Sequence, residues 1–102
     1  MDTLSVIFDL GRLYQTSRIF DACCEHRPFH RFVQRSLGRY ISCDWLDDCS
    51  DDAALNDAAV TDGSRIFAMY YIPPGLYELE SKIWIITEAD RSCTTVLFPS
   101  EY

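Results

Sequence analysis

Between Asp44 and Asp62 the chain places seven aspartates and no base, in DWLDDCSDDAALNDAAVTD. Carboxylates at that density can do three kinds of chemistry. Converging from several elements, they hold a divalent metal for phosphodiester cleavage. Set in a DxDxDG loop with a glutamate at the twelfth position, they bind calcium, a pattern that DWLDDCSDDAAL does not match. Spread over a surface, they steer and hold a cationic partner or imitate a phosphate backbone, which requires only clustered charge. Beside these stands the plain reading of a solvated helix start, with Asp51 and Asp52 favourably placed on the helix dipole.

The remaining candidates are weaker. His26 and His30 are four apart, but Pro28 lies between them. A pair of Cys23 or Cys24 with either histidine would need an oriented base and an oxyanion site to act as a nucleophile, and the sequence offers neither. Zinc asks for four convergent ligands, usually as spaced pairs; Cys43 and Cys49 are separated by five residues and there is no CxxC. Gly11, Gly38, Gly63 and Gly75 are scattered, so no phosphate-cradling loop exists. Glu88, Asp90 and Arg91 could form an acid–base group, but EADRS reads better as a tight turn in which Asp90 bonds backbone amides. Arg27, Arg31 and Arg35, with Arg39 if the helix continues, form a basic stripe at four-residue spacing. In a chain of net charge −7, that stripe is expected to meet the acidic segment or water rather than phosphates. Trp84 and Trp45 read as core or interface residues. No catalytic residue, metal ligand or cofactor is expected.

The elements that would position these groups follow from periodicity. Leu4–Tyr14 alternates strand formers and reads as a strand, with Gly11 marking a bulge or an end. Thr16 or Ser17 caps a short amphipathic helix to His26. Phe29, Phe32, Val33, Ser36, Leu37 and Tyr40 make one stripe on a helix from Pro28 that ends at Leu37 if Gly38 caps it and at Tyr40 if it does not. Ser50 or Asp51 caps a third helix that ends at Gly63. Ser64–Ile72, Lys82–Glu88 and Cys93–Phe98 read as strands, broken by PPGLYELES, ADRS and Pro99. Three consecutive strands with short links imply an antiparallel meander. The expected fold is therefore α+β: an antiparallel sheet of the C-terminal meander and the N-terminal strand, with about three short helices on one face.

The 102 residues suit a single domain over residues 1–102, and 48% apolar with 14% aromatic content favours a folded chain. No run approaches the ~18 apolar residues of a membrane span. MDTLSVIFDLGR lacks a basic leader region, which argues against a signal peptide. Five cysteines cannot all pair, so a reducing cytoplasm is the simpler setting.

DGSRIFAMY and KIWIITEADRSCTTVLFPSEY resemble a family of short uncharacterised proteins encoded on bacterial plasmids, prophages and other mobile elements. Its members commonly carry LG near the start, a GDWG-like segment, an N…A…GxR stretch and an ending like KIWIITEADRSxTTxLxPEEY. The matches are Leu10-Gly11, Asp44-Trp45, Asn56, Asp62-Gly63-Ser64-Arg65 and nearly all of Lys82 to Tyr102. Cys43 and Leu46 stand where the pattern puts glycines, and PPGLYELES is longer than the usual turn. The resemblance implies a bacterial host cell and brings no catalytic residues with it.

Together these readings give an expectation. The chain is a small acidic mobile-element protein that binds and inhibits a host nucleic-acid-handling defence complex, in the manner of an anti-CRISPR or anti-restriction protein. Its partner would be a protein with a basic nucleic-acid-binding surface. The contact residues would be Asp44, Trp45, Asp47, Asp48, Asp51, Asp52 and Asp57, with Trp45 as the anchor; the chain itself is not expected to bind nucleic acid or membrane. The alternatives are a non-catalytic accessory module or homodimer built on an exposed sheet edge, and a cryptic metal-dependent nuclease.

Overall fold

A computed structural model describes residues 8–102. Residues 4–7 of the expected first strand lie outside the described residues. The rest of that strand is shorter than its alternation suggests: β1 covers only Arg12–Gln15. The cause is Gly11, at φ 63, whose N–H donates to the Asp9 carboxylate at 3.0 Å. A Cβ at Gly11 would overlap the carbonyl oxygens of Arg91 and Ser92, so only glycine lets the chain pass this close to the EADRS turn.

The helices form where apolar stripes and caps coincide. The first, α1 (Ser17–Glu25), starts at Thr16, whose hydroxyl accepts the Ile19 N–H. The second, α2 (Arg27–Ile41), has Pro28 in its first turn and runs through Gly38. Gly38 is not the stop: a side chain there would meet nothing within 4 Å, and the stripe carries on to the fully buried Tyr40. The third, α3 (Ser50–Asp62), has Cys49 rather than Ser50 or Asp51 at its N-cap and ends at Gly63 in the left-handed conformation, at φ 82.

Three further strands, β2 (Ile66–Tyr71), β3 (Lys82–Thr87) and β4 (Cys93–Leu97), form the expected meander, and Pro99–Glu101 closes the chain with a 3₁₀ turn. The sheet order is β1-β4-β3-β2. β2 and β4 flank β3 antiparallel, but β1 joins β4 parallel, pairing Arg12 with Cys93 and Gln15 with Val96. The sheet is thus mixed rather than wholly antiparallel. Parallel pairing needs a long crossover, and α1, α2 and α3 all belong to the crossover that follows β1.

Alternation decides the core. Ile66, Ala68 and Tyr70 of β2, Ile83 and Ile85 of β3 and Val96 of β4 face one side and pack on Ile19, Phe29, Phe32 and Val33 of α1 and α2. Within this apolar layer lies one polar chain. The Tyr40 hydroxyl meets Thr87 at 2.6 Å, Thr87 meets Thr94 at 2.7 Å, and Thr94 donates to the Leu10 carbonyl at 2.7 Å. Every buried member is satisfied, so the chain ties α2, β3, β4 and the approach to β1 together at little cost. Burial raises the Tyr40 phenol well above its ordinary pKa, so it stays a neutral hydrogen-bonding group. The opposite face carries an edge-to-face cluster of Phe67, Trp84 and Tyr102, with the Arg65 guanidinium over Phe67 and Tyr102.

Candidate interaction surface

The acidic segment begins where α2 ends, and Arg39 governs its first part. Its guanidinium forks onto Asp44 at 2.9 and 3.2 Å and onto Asp47 at 3.1 and 3.4 Å. Both pairs are partly buried, and the bonds lower the pKa of Asp44 and hold that of Arg39 well above its ordinary value. The intervening turn puts Cys43 at φ 60, a conformation that favours glycine. One guanidinium thus binds both Asp44 and Asp47 within the molecule, leaving one negative charge on the three groups together.

Trp45 is not an outward anchor. It is 4% exposed, packs edge-to-face on Tyr40 with ring centroids 5.6 Å apart, and donates its indole N–H to Asp57 at 2.8 Å. An indole placed in a core needs such a partner, and Asp57 supplies it. The residues that do project are Leu46, 85% exposed, and Leu55, 67% exposed.

The rest of the segment closes the open edge of the sheet. Among the described residues strand β2 has no neighbouring strand on its outer side, so the N–H groups of Phe67, Met69 and Tyr71 point away from the sheet. Asn56, on the buried side of α3, accepts from the Phe67 N–H at 3.1 Å and donates to the Phe67 carbonyl at 3.0 Å, as a paired strand would. Asp47 accepts from Tyr71 at 2.9 Å, and the Asp48 carboxylate stands near the Met69 amide between them. Side chains of one segment thus bind two of the three outward edge amides and face the third.

This arrangement strains Asp48. Burial, with repulsion from Asp52 and Asp47 added, raises its pKa to about 6 despite the nearby Met69 amide. A carboxyl whose folded pKa lies above its unfolded one contributes stability that is complete below the unfolded value and is lost as pH rises to the folded one. Between pH 4 and 6 the protein should therefore lose stability at this site. Asp48→Asn keeps an acceptor for Met69 without the charge. It is expected to be the more stable chain at pH 7, by about 1 kcal/mol after solvent screening, with the gap closing by pH 4. Urea unfolding of both chains across that range checks the sign.

What remains free on α3 is Asp51 and Asp52, both exposed, together with Asp62, whose carboxylate is held ionised by bonds from Ser64. Asp52 and Asp62 border a groove of about 580 Å³ between α3 and the outer sheet face, lined by the apolar Phe67, Met69 and Trp84, with the exposed Leu55 at its mouth and Arg65 and Lys82 also on its wall. Of the seven residues singled out by sequence, Asp48 and Asp52 line this groove, Asp51 stands beside it, and Asp44, Trp45, Asp47 and Asp57 serve the fold. Of the basic stripe expected to meet the acidic segment or water, Arg39 is the member that binds Asp44 and Asp47, while Asn56 was given no role by the sequence reading. Asn56 had one signal: a polar residue on the inward side of a helix must find bonds.

The other candidates resolve into structure. In the EADRS turn Arg91 lies at φ 60 and its guanidinium binds the carbonyls of Ser64 at 2.7 Å and Ala59 at 2.9 Å. It thereby latches the end of α3 to the β3–β4 turn, while Asp90 accepts the Ser92 N–H. Glu88 reaches Arg65 at 3.7 Å rather than a reacting group. All five cysteines are free, and among the described residues no three His, Cys, Asp or Glu side chains are grouped to hold a metal ion. Comparison of the chain with protein-family models, curated proteins and solved structures returned no match.

Proposed function

We propose that this chain is a non-catalytic binding protein that presents the acidic face of α3, and the groove beside it, to a cationic surface on a protein partner. One observation carries the reading: α3 has four aspartates and no base, and its exposed Asp51 and Asp52 flank an exposed leucine, Leu55, at the mouth of an apolar-floored groove. Charge around an apolar foothold is what a specific, steered interface uses. The resemblance to mobile-element proteins supports a narrower form, in which the cationic surface is the nucleic-acid channel of a host defence complex such as a CRISPR effector or a restriction enzyme and occupancy inhibits it. The anchor in this reading is Leu55, with Trp45 acting from the core.

The test is competition. Purified defence complexes of these two kinds are assayed for nucleic-acid binding with increasing amounts of the chain. Inhibition should weaken steeply with salt. Asp51→Lys with Asp52→Lys should raise the half-inhibitory concentration at least about tenfold, and Leu55→Glu should do likewise. Asp44→Asn, at a carboxylate already bound to Arg39, serves as a comparison and should cost far less. Unchanged inhibition by the double reversal would reject α3 as the contact.

The exposed β1 edge separately favours the alternative of a partner or a second copy docking on the sheet.

A further inference from the structure

The two edges of the sheet are treated differently. At β2 the outward amides of Phe67 and Tyr71 are taken by Asn56 and Asp47, and the Asp48 carboxylate stands near that of Met69. At β1 the ladder to β4 uses the N–H groups of Arg12 and Thr16, so alternation turns those of Leu13 and Gln15 outward. Among the described residues no hydrogen bond reaches either one. RLYQ carries no proline and no inward-pointing charge; its shortness and the exposed Arg12 are its only protections, and Leu13 and Tyr14 stand 52% and 49% exposed.

The ground beside this edge has a definite chemistry. On the helix side, two adjoining hollows flank β1. One, of about 290 Å³, is walled by Leu13, Val33 and Leu37. The other, of about 440 Å³, is walled by Gln15, Phe20, Arg27, His30, Arg31 and Gln34. No carboxylate lines either one. Arg27, His30 and Arg31 occupy the first turns of α2, where the helix dipole disfavours cations, and no acidic residue lies in its first turn. Among the described residues neither Arg27 nor Arg31 forms an ion pair. A negative group placed here would relieve both the mutual repulsion and the dipole.

We infer that β1 is a docking edge for an extended acidic segment of another protein, which adds to the sheet as a fifth, antiparallel strand. Backbone bonds to Leu13 and Gln15 supply the pairing, and alternate side chains fill the two hollows. Read from its N-terminus, the incoming strand places a carboxylate opposite Gln15, against Arg27, His30 and Arg31. Two residues later it places an apolar side chain opposite Leu13. A second copy of this chain fits less well, because two-fold pairing of β1 with itself would set one basic hollow beside the other. This surface is separate from the α3 face and stands or falls independently of it.

The probe is a blocked peptide with Glu-Thr-Val at its centre between threonines, titrated into the isotope-labelled full chain. A control peptide carries lysine for the glutamate. Shifts should centre on Leu13, Tyr14, Gln15, His30 and Gln34, and exchange of the Leu13 and Gln15 amides should slow. The glutamate peptide should bind at least about tenfold more tightly than the lysine one, and Arg27→Glu with Arg31→Glu should reverse that order. Leu13→Pro deletes an outward N–H and spares the β4 ladder, so it should abolish binding with an unchanged melting temperature. Equal binding of both peptides, or shifts confined to the α3 groove, would overturn the proposal. So would Leu13 and Gln15 amides already protected in the free chain. A dimer in light scattering that Leu13→Pro dissolves would give the edge to a second copy and overturn it too.

Discussion

Trp45→Ala is expected to lower unfolding stability by about 3–5 kcal/mol, the usual cost of emptying a buried indole site. The ring is 4% exposed and packs on Tyr40, itself fully buried at the head of the Thr87–Thr94 chain of hydrogen bonds. Its removal also strips Asp57 of the indole donor. For a chain of this size that loss is a large share of a total stability of about 5–15 kcal/mol. Trp45→Phe keeps the ring contact and loses only the N–H, so it should cost about 1 kcal/mol. Urea unfolding separates the two, because a core role moves the midpoint and leaves the slope nearly constant. A Trp45→Ala chain that unfolds at the wild-type midpoint, while failing to bind a partner, would restore the tryptophan to the surface role that its acidic neighbours suggest.

That pairing of expectation and outcome marks the limit of charge patterns. Some helix ends were legible because they depend on neighbours in sequence: Thr16 before Ser17, Pro28 in a first turn, Gly63 after an apolar run; the Cys49 cap of α3 and the run of α2 through Gly38 were not. The meander was legible for the same reason, with alternation on each strand and a tight turn at ADRS. The parallel attachment of β1 was not, since nothing in RLYQ says which edge it joins after a crossover of three helices. Nor could composition separate displayed carboxylates from engaged ones. Seven aspartates look alike in the sequence, yet Asp44 and Asp47 face Arg39, Asp57 faces Trp45 and Asp48 faces a strand edge. Arg39 shared the four-residue spacing of Arg27, Arg31 and Arg35, and only its place at the end of α2 set it apart. There the turn through Cys43 brings Asp44 back within reach.

Asn56→Ala is expected to cost about 2–3 kcal/mol, because it strands both the N–H and the carbonyl of Phe67 at a part-buried edge. Hydrogen exchange at Phe67 should accelerate more than at Tyr71, which keeps Asp47. Asn56→Asp makes the argument sharper. At pH 7 it retains an acceptor for the Phe67 N–H, but it turns a carboxylate on the Phe67 carbonyl and adds a charge near Asp48, 3.4 Å from the present amide nitrogen. The introduced carboxyl should have a raised folded pKa, so the variant is expected to approach wild-type stability near pH 4, where its hydroxyl can donate to Phe67, and to fall away as pH rises. A simple loss of packing would show no such dependence on pH. If both variants keep wild-type stability and exchange, the edge needs no cover, and the acidic segment is free to be a recognition face along its whole length. If they behave as expected, Asp47, Asp48 and Asn56 belong to the sheet, and recognition by α3 is confined to Asp51, Asp52, Leu55 and the groove beside them.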